Sequence, residues 1–311
     1  MVKGIHSYAS YRGLHQLRLV WHLLQYAGFR ALREYARETV ESTRAAEEMV
    51  FRVTGRRIEN VKALEIGPGQ LPRQSAYFSC KNEVIGIDLD VIAQSFDVKG
   101  YWRMWRQNGS IRVAKTLGRK ALGYDRAFRR GLKEELALKK LPKTPILHMD
   151  ASQINFPNAS FDFVYSFDVF YSIPEPQRAL KEVARVLKPG GCAYISLRLF
   201  TSENGSMDIR VTSGNRSNIP YWSHLRPQYQ QLIVPSSYAN GLSSADWTRL
   251  LDSIMPGAYL KFEPWHKNLE RLRAALAEIR TAGELHQYTD EELLSQQLYV
   301  VWQKPPVGSQ L

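Results

Sequence analysis

The sequence predicts an α/β fold built on a doubly wound, mostly parallel sheet. Three observations carry that prediction. The apolar run Val61-Lys62-Ala63-Leu64-Glu65-Ile66 ends at Gly67-Pro68-Gly69, as a buried strand does when it enters a tight turn before a helix N-terminus. A second apolar run, Glu83-Val84-Ile85-Gly86-Ile87, ends in Asp88, about twenty residues past the turn, where an acid can meet a ribose hydroxyl pair. Strand and helix patterns then alternate again from Pro145 to Leu197, the signature of parallel strands joined by crossover helices.

Taken in order, residues 5–52 read as helix. Leu14, Leu17, Trp21, Leu24 and Gly28 fall at helical spacing, and a second helix is expected from about Phe29 to Phe51. In that second helix Arg30, Arg33, Arg37 and Arg44 alternate with Glu34, Glu38, Glu41, Glu47 and Glu48, the pattern of a solvated face. Residues 1–55 are expected to cap the main domain. The first helix is basic, amphipathic and carries a tryptophan, so a membrane-surface role is the sharper alternative. Residues 91–144 interrupt the alternation with a basic insertion, from Tyr101-Trp102-Arg103-Met104-Trp105-Arg106 to Lys143. It is expected to be helical and broken near Gly109, Gly118, Gly123 and Gly131. It reads either as a solvated excursion over the site or as a surface for an anionic partner, RNA or membrane.

The glycine turn leaves two ligand classes open. A dinucleotide fingerprint G-x-G-x-x-G would need a third glycine where Pro72 stands. Proline gives up an amide and close strand–helix packing. Glu65, just before the glycines, would repel a pyrophosphate and suits a ligand with an ammonium group. The later motifs add to this. Ile146-Leu147-His148-Met149-Asp150-Ala151 is a short strand ending in an acid and a small residue. Phe156-Pro157-Asn158-Ala159-Ser160-Phe161-Asp162-Phe163-Val164 is a turn and a strand. The helix from Pro176 is followed by Leu187-Lys188-Pro189-Gly190-Gly191, read as its stop, and then the strand Cys192–Leu197.

With its acid followed by G-x-G and these ordered motifs, the chain resembles the class I S-adenosylmethionine (SAM)-dependent methyltransferases. The resemblance covers positions 60–90 and 145–198. It implies a Rossmann-like seven-stranded sheet finished by an antiparallel hairpin, here Ala258–Phe262 with Leu298–Trp302, in a domain spanning 56–305. It implies SAM as cofactor, held by Glu65, Gly67, Gly69, Asp88, Asp150, Ala151 and Ser166, with Asp150 toward the adenine amino group. Ser172 stands where many members carry a histidine near Pro174, so no base carries over there. Asp162 is expected to tie down the start of its strand.

Residues 199–242 lose periodicity and are expected to form the substrate loop, since ligands sit at the carboxyl edge of such sheets. Within it, Pro220-Tyr221-Trp222-Ser223-His224-Leu225-Arg226-Pro227 concentrates aromatics with one histidine and one arginine. His224 is the candidate general base, because imidazole titrates near neutrality. Asp168 and Tyr171 could orient a substrate hydroxyl, while Arg226 could hold a carboxylate or phosphate with Trp222 beside it. The expected reaction is methyl transfer to an oxygen, less readily a nitrogen, of a small-molecule, sugar or glycolipid acceptor. An RNA methyltransferase and a non-catalytic SAM-binding module are the alternatives.

Whole-chain properties are compatible with this. At 311 residues with 44% apolar content, a large domain with appendages and a sizeable core are expected. Cys80 and Cys192 give neither a disulfide framework nor a metal motif, and no metal is expected. No run approaches the roughly 18 apolar residues of a membrane span, and the N-terminus lacks a signal-peptide core. A cytoplasmic protein, possible at the membrane periphery, is therefore expected. The net charge of +12 points toward anionic partners. The tail 306–311 is expected to be disordered.

Overall fold

A computed structural model describes residues 29–71, 73–93, 98–214, 216, 218–264, 268–306 and 308. The first predicted helix with its membrane-surface reading, Pro72 and most of the C-terminal tail lie outside these residues. Seven strands follow the order β3-β2-β1-β4-β5-β7-β6, with β1 at Lys62–Ile66, β2 at Glu83–Asp88, β3 at Ile146–His148, β4 at Phe161–Phe167, β5 at Leu187–Arg198, β6 at Tyr259–Pro264 and β7 at Ser295–Gln303. The chain divides into two compact units, residues 1–166 with 182–194 and 303–311, and residues 167–181 with 195–302.

In the first unit, β1 is central. Leu64 lies opposite Ile85 of β2 on one side and Val164 of β4 on the other, both in parallel register. A strand flanked on both edges and buried on both faces must be apolar throughout, and Ala63, Leu64 and Ile66 are buried accordingly. The helix after the glycine turn, α2, runs Arg73–Phe78, and its Phe78 ring packs 4.6 Å from Tyr165 and 5.4 Å from Phe163. Helix α1, Phe29–Thr54, lies ahead of β1 and buries Ala36, Val40, Ala46 and Val50.

The insertion folds as three helices, α3 at Val98–Asn108, α4 at Ser110–Ala121 and α5 at Tyr124–Glu135. Two of the four expected breaks occur, at Gly109 and Gly123, both with positive φ. Gly118 and Gly131 instead lie inside helices. At Gly131 the reason is packing: a Cβ there would stand 2.8 Å from Ala36 Cβ, so glycine lets α5 approach α1. Phe128 and Leu132 of α5 join Ala36, Val40, Ala76 and Leu141 in one apolar cluster.

A second correction concerns Pro189-Gly190-Gly191. The helix α6, Pro176–Val186, stops earlier, and this triplet is part of β5. Gly190 accommodates a φ of 75°, and the backbone there pairs with Lys304 through two hydrogen bonds of 2.8 and 2.9 Å. Asp162 accepts from Lys62 N (3.1 Å) and from Lys188 Nζ (2.9 Å), so it anchors the starts of neighbouring chain segments.

In the second unit, β6 and β7 pair antiparallel, with Leu260 opposite Val300. The connection is no tight hairpin, because α9 (Leu269–Thr281) and α10 (Asp290–Leu294) intervene. Helix α7 is the short turn Ile209–Thr212. Helix α8, Ser244–Ile254, starts with a reciprocal capping box between Ser243 and Asp246, which satisfies two otherwise unpaired amides. Elsewhere in this unit, Trp222, Leu225, Leu272, Leu276, Ile279, Leu285 and Leu293 form an apolar cluster.

Candidate functional site

The first unit gathers the residues expected to hold a cofactor. Gly67 and Gly69 have φ of 74° and 67°, a left-handed geometry that glycine adopts without steric cost. The turn is tied back to β2: Gly67 N donates to Ile87 O (2.8 Å), and Gly69 N donates to Asp88 Oδ2 (2.9 Å). The other oxygen of Asp88 accepts from Asp90 N at 2.8 Å. Each carboxylate oxygen keeps a further lone pair for a ligand hydroxyl. Asp150 closes its own turn through Ser152 N (2.7 Å), with Ala151 between them, and Ser166 Oγ donates to Ile66 O (3.0 Å). Ser166 therefore braces β4 against β1 at the strand ends.

Glu65 is 2% exposed. It accepts from Ser75 Oγ on α2 and from Tyr165 Oη at 3.4 Å. Burial pushes its carboxyl up to about 7, with the Asp88 charge adding to the rise and the two hydroxyls opposing it. Burial also raises Asp88. Two interacting carboxylates held above their ordinary range are relieved by a positive charge. The donor set therefore fits a ligand that pairs a cationic end with a ribose, as SAM does. Gln70, next in the turn, has both amide atoms buried without a partner. It lines a cavity of about 270 Å³ with Phe128, Arg129, Leu132 and Lys143.

The second unit gathers the residues expected around an acceptor. His224 is 8% exposed, and its Nε2 lies 2.8 Å from Phe200 O. A carbonyl only accepts, so Nε2 carries the proton and Nδ1 presents a lone pair. Nδ1 is buried and has no partner. Burial pushes the imidazole down to about 4, and the Arg216 charge acts in the same direction. Thr201 Oγ1, Asn204 Oδ1 and Trp222 Nε1 are likewise buried without partners. Gly205 brings this backbone together, since a Cβ there would collide with Phe200 O.

Two expectations are revised by this geometry. Arg226 is engaged within the protein: its Nε and Nη2 donate to Glu284 at 2.7 and 2.5 Å, and Nη1 donates to Tyr221 O at 3.2 Å. A buried guanidinium already satisfied by a carboxylate braces the loop and is not positioned as an anion clamp. Trp222 is fully buried in the apolar cluster at a φ of 49°, so only its indole N–H remains available for a polar contact.

Asp168, at a φ of 54°, accepts from Gln297 Nε2 (2.7 Å), and its N donates to Ser196 O (2.9 Å). Burial raises the Tyr171 phenol, against which the Arg198 charge and a hydrogen bond with Ser237 act. Sequence reasoning passed over Arg198, whose Nε is buried without a partner, and the ion pair of Arg216 with the buried Glu203 at 2.6 Å. A charged residue closing an apolar strand, as Arg198 closes β5, was the available signal for the first. The second pair is thirteen residues apart in a segment without periodicity, and nothing local linked them. Among the described residues, no group of three or more His, Cys, Asp or Glu is placed to hold a metal ion.

Residues 110–195 match a family model described as a methyltransferase domain. The match runs from the insertion into β5, and the glycine turn lies upstream of it. The chain is 28% identical over 142 residues to an uncharacterized methyltransferase of Mycobacteroides abscessus, covering 43% of this chain and 55% of that protein. It is 38% identical over 74 residues to a phosphatidylethanolamine N-methyltransferase of Cereibacter sphaeroides, covering 24% and 35%. The chain thus spans about half or less of these relatives' length. A solved structure of Haemonchus contortus phosphoethanolamine N-methyltransferase 2 in complex with SAM is similar, with TM-score 0.45 and 15% identity over 90% of this chain and 60% of that one.

Proposed function

We propose that this chain, a member of the class I SAM-dependent methyltransferase family, transfers a methyl group to a hydroxyl oxygen of a small-molecule, sugar or glycolipid acceptor. One observation carries the acceptor class. Thr201 Oγ1, Asn204 Oδ1, Trp222 Nε1 and His224 Nδ1 are buried polar atoms without partners in the segment after β5. Such atoms cost free energy unless a ligand satisfies them. The set contains both donors and acceptors, and hydroxyl groups supply both.

SAM supplies an electrophilic methyl carbon. Asp88 would accept from its ribose hydroxyls, Asp150 and Ala151 would face its adenine, and Glu65 would balance its ammonium charge across the Gly67–Gly69 turn. His224 Nδ1, buried without a partner, would take the proton that an acceptor hydroxyl gives up on methylation. Its Nε2–H is anchored on Phe200 O, which orients the Nδ1 lone pair, while burial makes the ring a weaker base than the free imidazole expected from the sequence. Asp168 and Tyr171 would orient the hydroxyl. Holding the partners in line accounts for much of the rate in such a transfer. The phosphatidylethanolamine N-methyltransferase relative supports methyl transfer in general; a nitrogen acceptor is the competing outcome.

The test is calorimetric titration with SAM, for wild type and Asp88→Ala. Formation of S-adenosylhomocysteine is then followed over hydroxylated, amine and RNA acceptors. SAM binding weakened by Asp88→Ala, with turnover on a hydroxylated acceptor, is expected. Absence of SAM binding by the wild type would overturn the enzyme reading. Turnover confined to RNA would move the acceptor to the basic insertion, and binding without any turnover would leave a SAM-binding module.

A further inference from the structure

Among the described residues, the exposed large hydrophobics include Val98, Trp102, Trp105, Ile111, Leu117 and Leu122, all within 25 residues of the insertion. The same stretch, 98–122, holds seven Lys and Arg and no Asp or Glu. Neither feature is a by-product of how the helices pack. On α3, at about 100° per residue, Val98, Trp102 and Trp105 share one stripe, and both tryptophans are 54% exposed. Gly100, Met104 and Asn108, the buried positions, occupy a separate sector. Lys99, Arg103 and Arg106 fill the sector between, with the Arg106 guanidinium 5.1 Å from the Trp102 ring centre. The helix therefore has a core face, a cationic face and a separate exposed apolar face.

Helix α4 repeats the arrangement. After Ser110, its exposed positions are Ile111, Ala114, Leu117, Gly118 and Ala121, continued by Leu122. No charged side chain falls on that face. Arg112, Lys115 and Arg119 flank it, with Arg112 and Arg119 paired to Asp90 and Asp125.

We propose that α3 and α4 form a docking surface for an anionic lipid bilayer, lying in the plane of its interface. Tryptophan rings favour the headgroup level, aliphatic side chains reach the acyl boundary, and flanking cations meet anionic headgroups. Charge and shape disfavour the other occupants. A second copy of this chain would set two faces with an excess of cations against each other. RNA would use the cations and the tryptophans but gains nothing from a face of Ile, Leu, Ala and Val side chains. The surface is independent of the acceptor's identity and stands whether or not the substrate is a lipid.

The full chain is sedimented with vesicles of phosphatidylglycerol and phosphatidylcholine, or of phosphatidylcholine alone, at low and high salt. The variant is Trp102→Ser/Trp105→Ser/Ile111→Ser, three exposed positions that are not among the proposed SAM and acceptor residues. Its unfolding midpoint and SAM affinity report whether the fold is retained. The expected result is binding to the anionic vesicles only, reduced at least about tenfold by the triple substitution and weakened by salt. The proposal is overturned by absence of vesicle binding or by binding that the folded triple variant retains. It is equally overturned if the wild type binds an RNA oligonucleotide in place of vesicles, or forms a dimer that the triple variant abolishes. If the triple variant unfolds, Trp105→Ser alone is used, with a measurable loss expected and unchanged partition overturning the proposal.

Discussion

Replacing Glu65 with glutamine should stabilise the ligand-free protein at alkaline pH and weaken its hold on SAM. Glu65 is buried, and its carboxyl rises from an ordinary 4.5 to about 7. Folding therefore favours the protonated form. The associated stability is fully present below 4.5 and is lost as pH rises through about 7. At about 1.4 kcal/mol per tenfold change in proton affinity, the wild type gives up about 3 kcal/mol between these limits. Glutamine has no proton to lose, and its amide oxygen can still accept from Ser75 and Tyr165. Relative to wild type, Glu65→Gln should thus gain about 3 kcal/mol between pH 4 and pH 8, a large part of a typical stability of about 5–15 kcal/mol. Urea unfolding of both proteins across this range reads the difference as a shift in midpoint at constant slope. Saturating SAM should flatten the wild-type pH dependence, because a cationic ligand favours the ionised carboxylate. A stability difference that does not change with pH would refute the reasoning, and so would a variant with undiminished SAM affinity.

Asp88→Ala removes the acceptor for Gly69 N and for the ribose, and should weaken SAM binding about tenfold to a hundredfold by calorimetry. His224→Gln keeps a donor for Phe200 O but has no base, so turnover should fall about a hundredfold or more with SAM affinity unchanged. The depressed His224 value also predicts acid lability: stability present above pH 6.5 is lost as pH falls through about 4, and the glutamine variant should show less of that loss in acid titration of its fluorescence. Gly131→Ala pushes a methyl against Ala36 and should destabilise the first unit by about 1–3 kcal/mol, read by urea unfolding.

The strands and turns of the first unit were largely legible in the sequence. Val61–Gly69, Glu83–Asp88 and Ile146–Ala151 are short segments in which burial pattern, turn glycine and terminal acid lie next to one another. Parallel strands buried on both faces leave little freedom in how such segments pair. The errors there were local: Gly131 stayed helical where packing against Ala36 requires a glycine, Gly118 stayed helical at an exposed position, and Pro189-Gly190-Gly191 entered β5 because Gly190 and Gly191 pair with Lys304. The segment after β5 was legible only as a composition. That His224 would be fixed on Phe200 O, that Arg226 would turn to Glu284, fifty-eight residues away, and that Arg216 would meet Glu203 all depend on long-range contacts. Irregular segments carry no periodicity to encode these. The sequence by itself determined the strands, the glycine turn and the acids at their ends, because those follow from local burial and backbone geometry. Which buried polar atoms found partners, and which did not, was decided by tertiary structure, because hydrogen bonds in a loop are set by whatever the fold brings within about 3 Å.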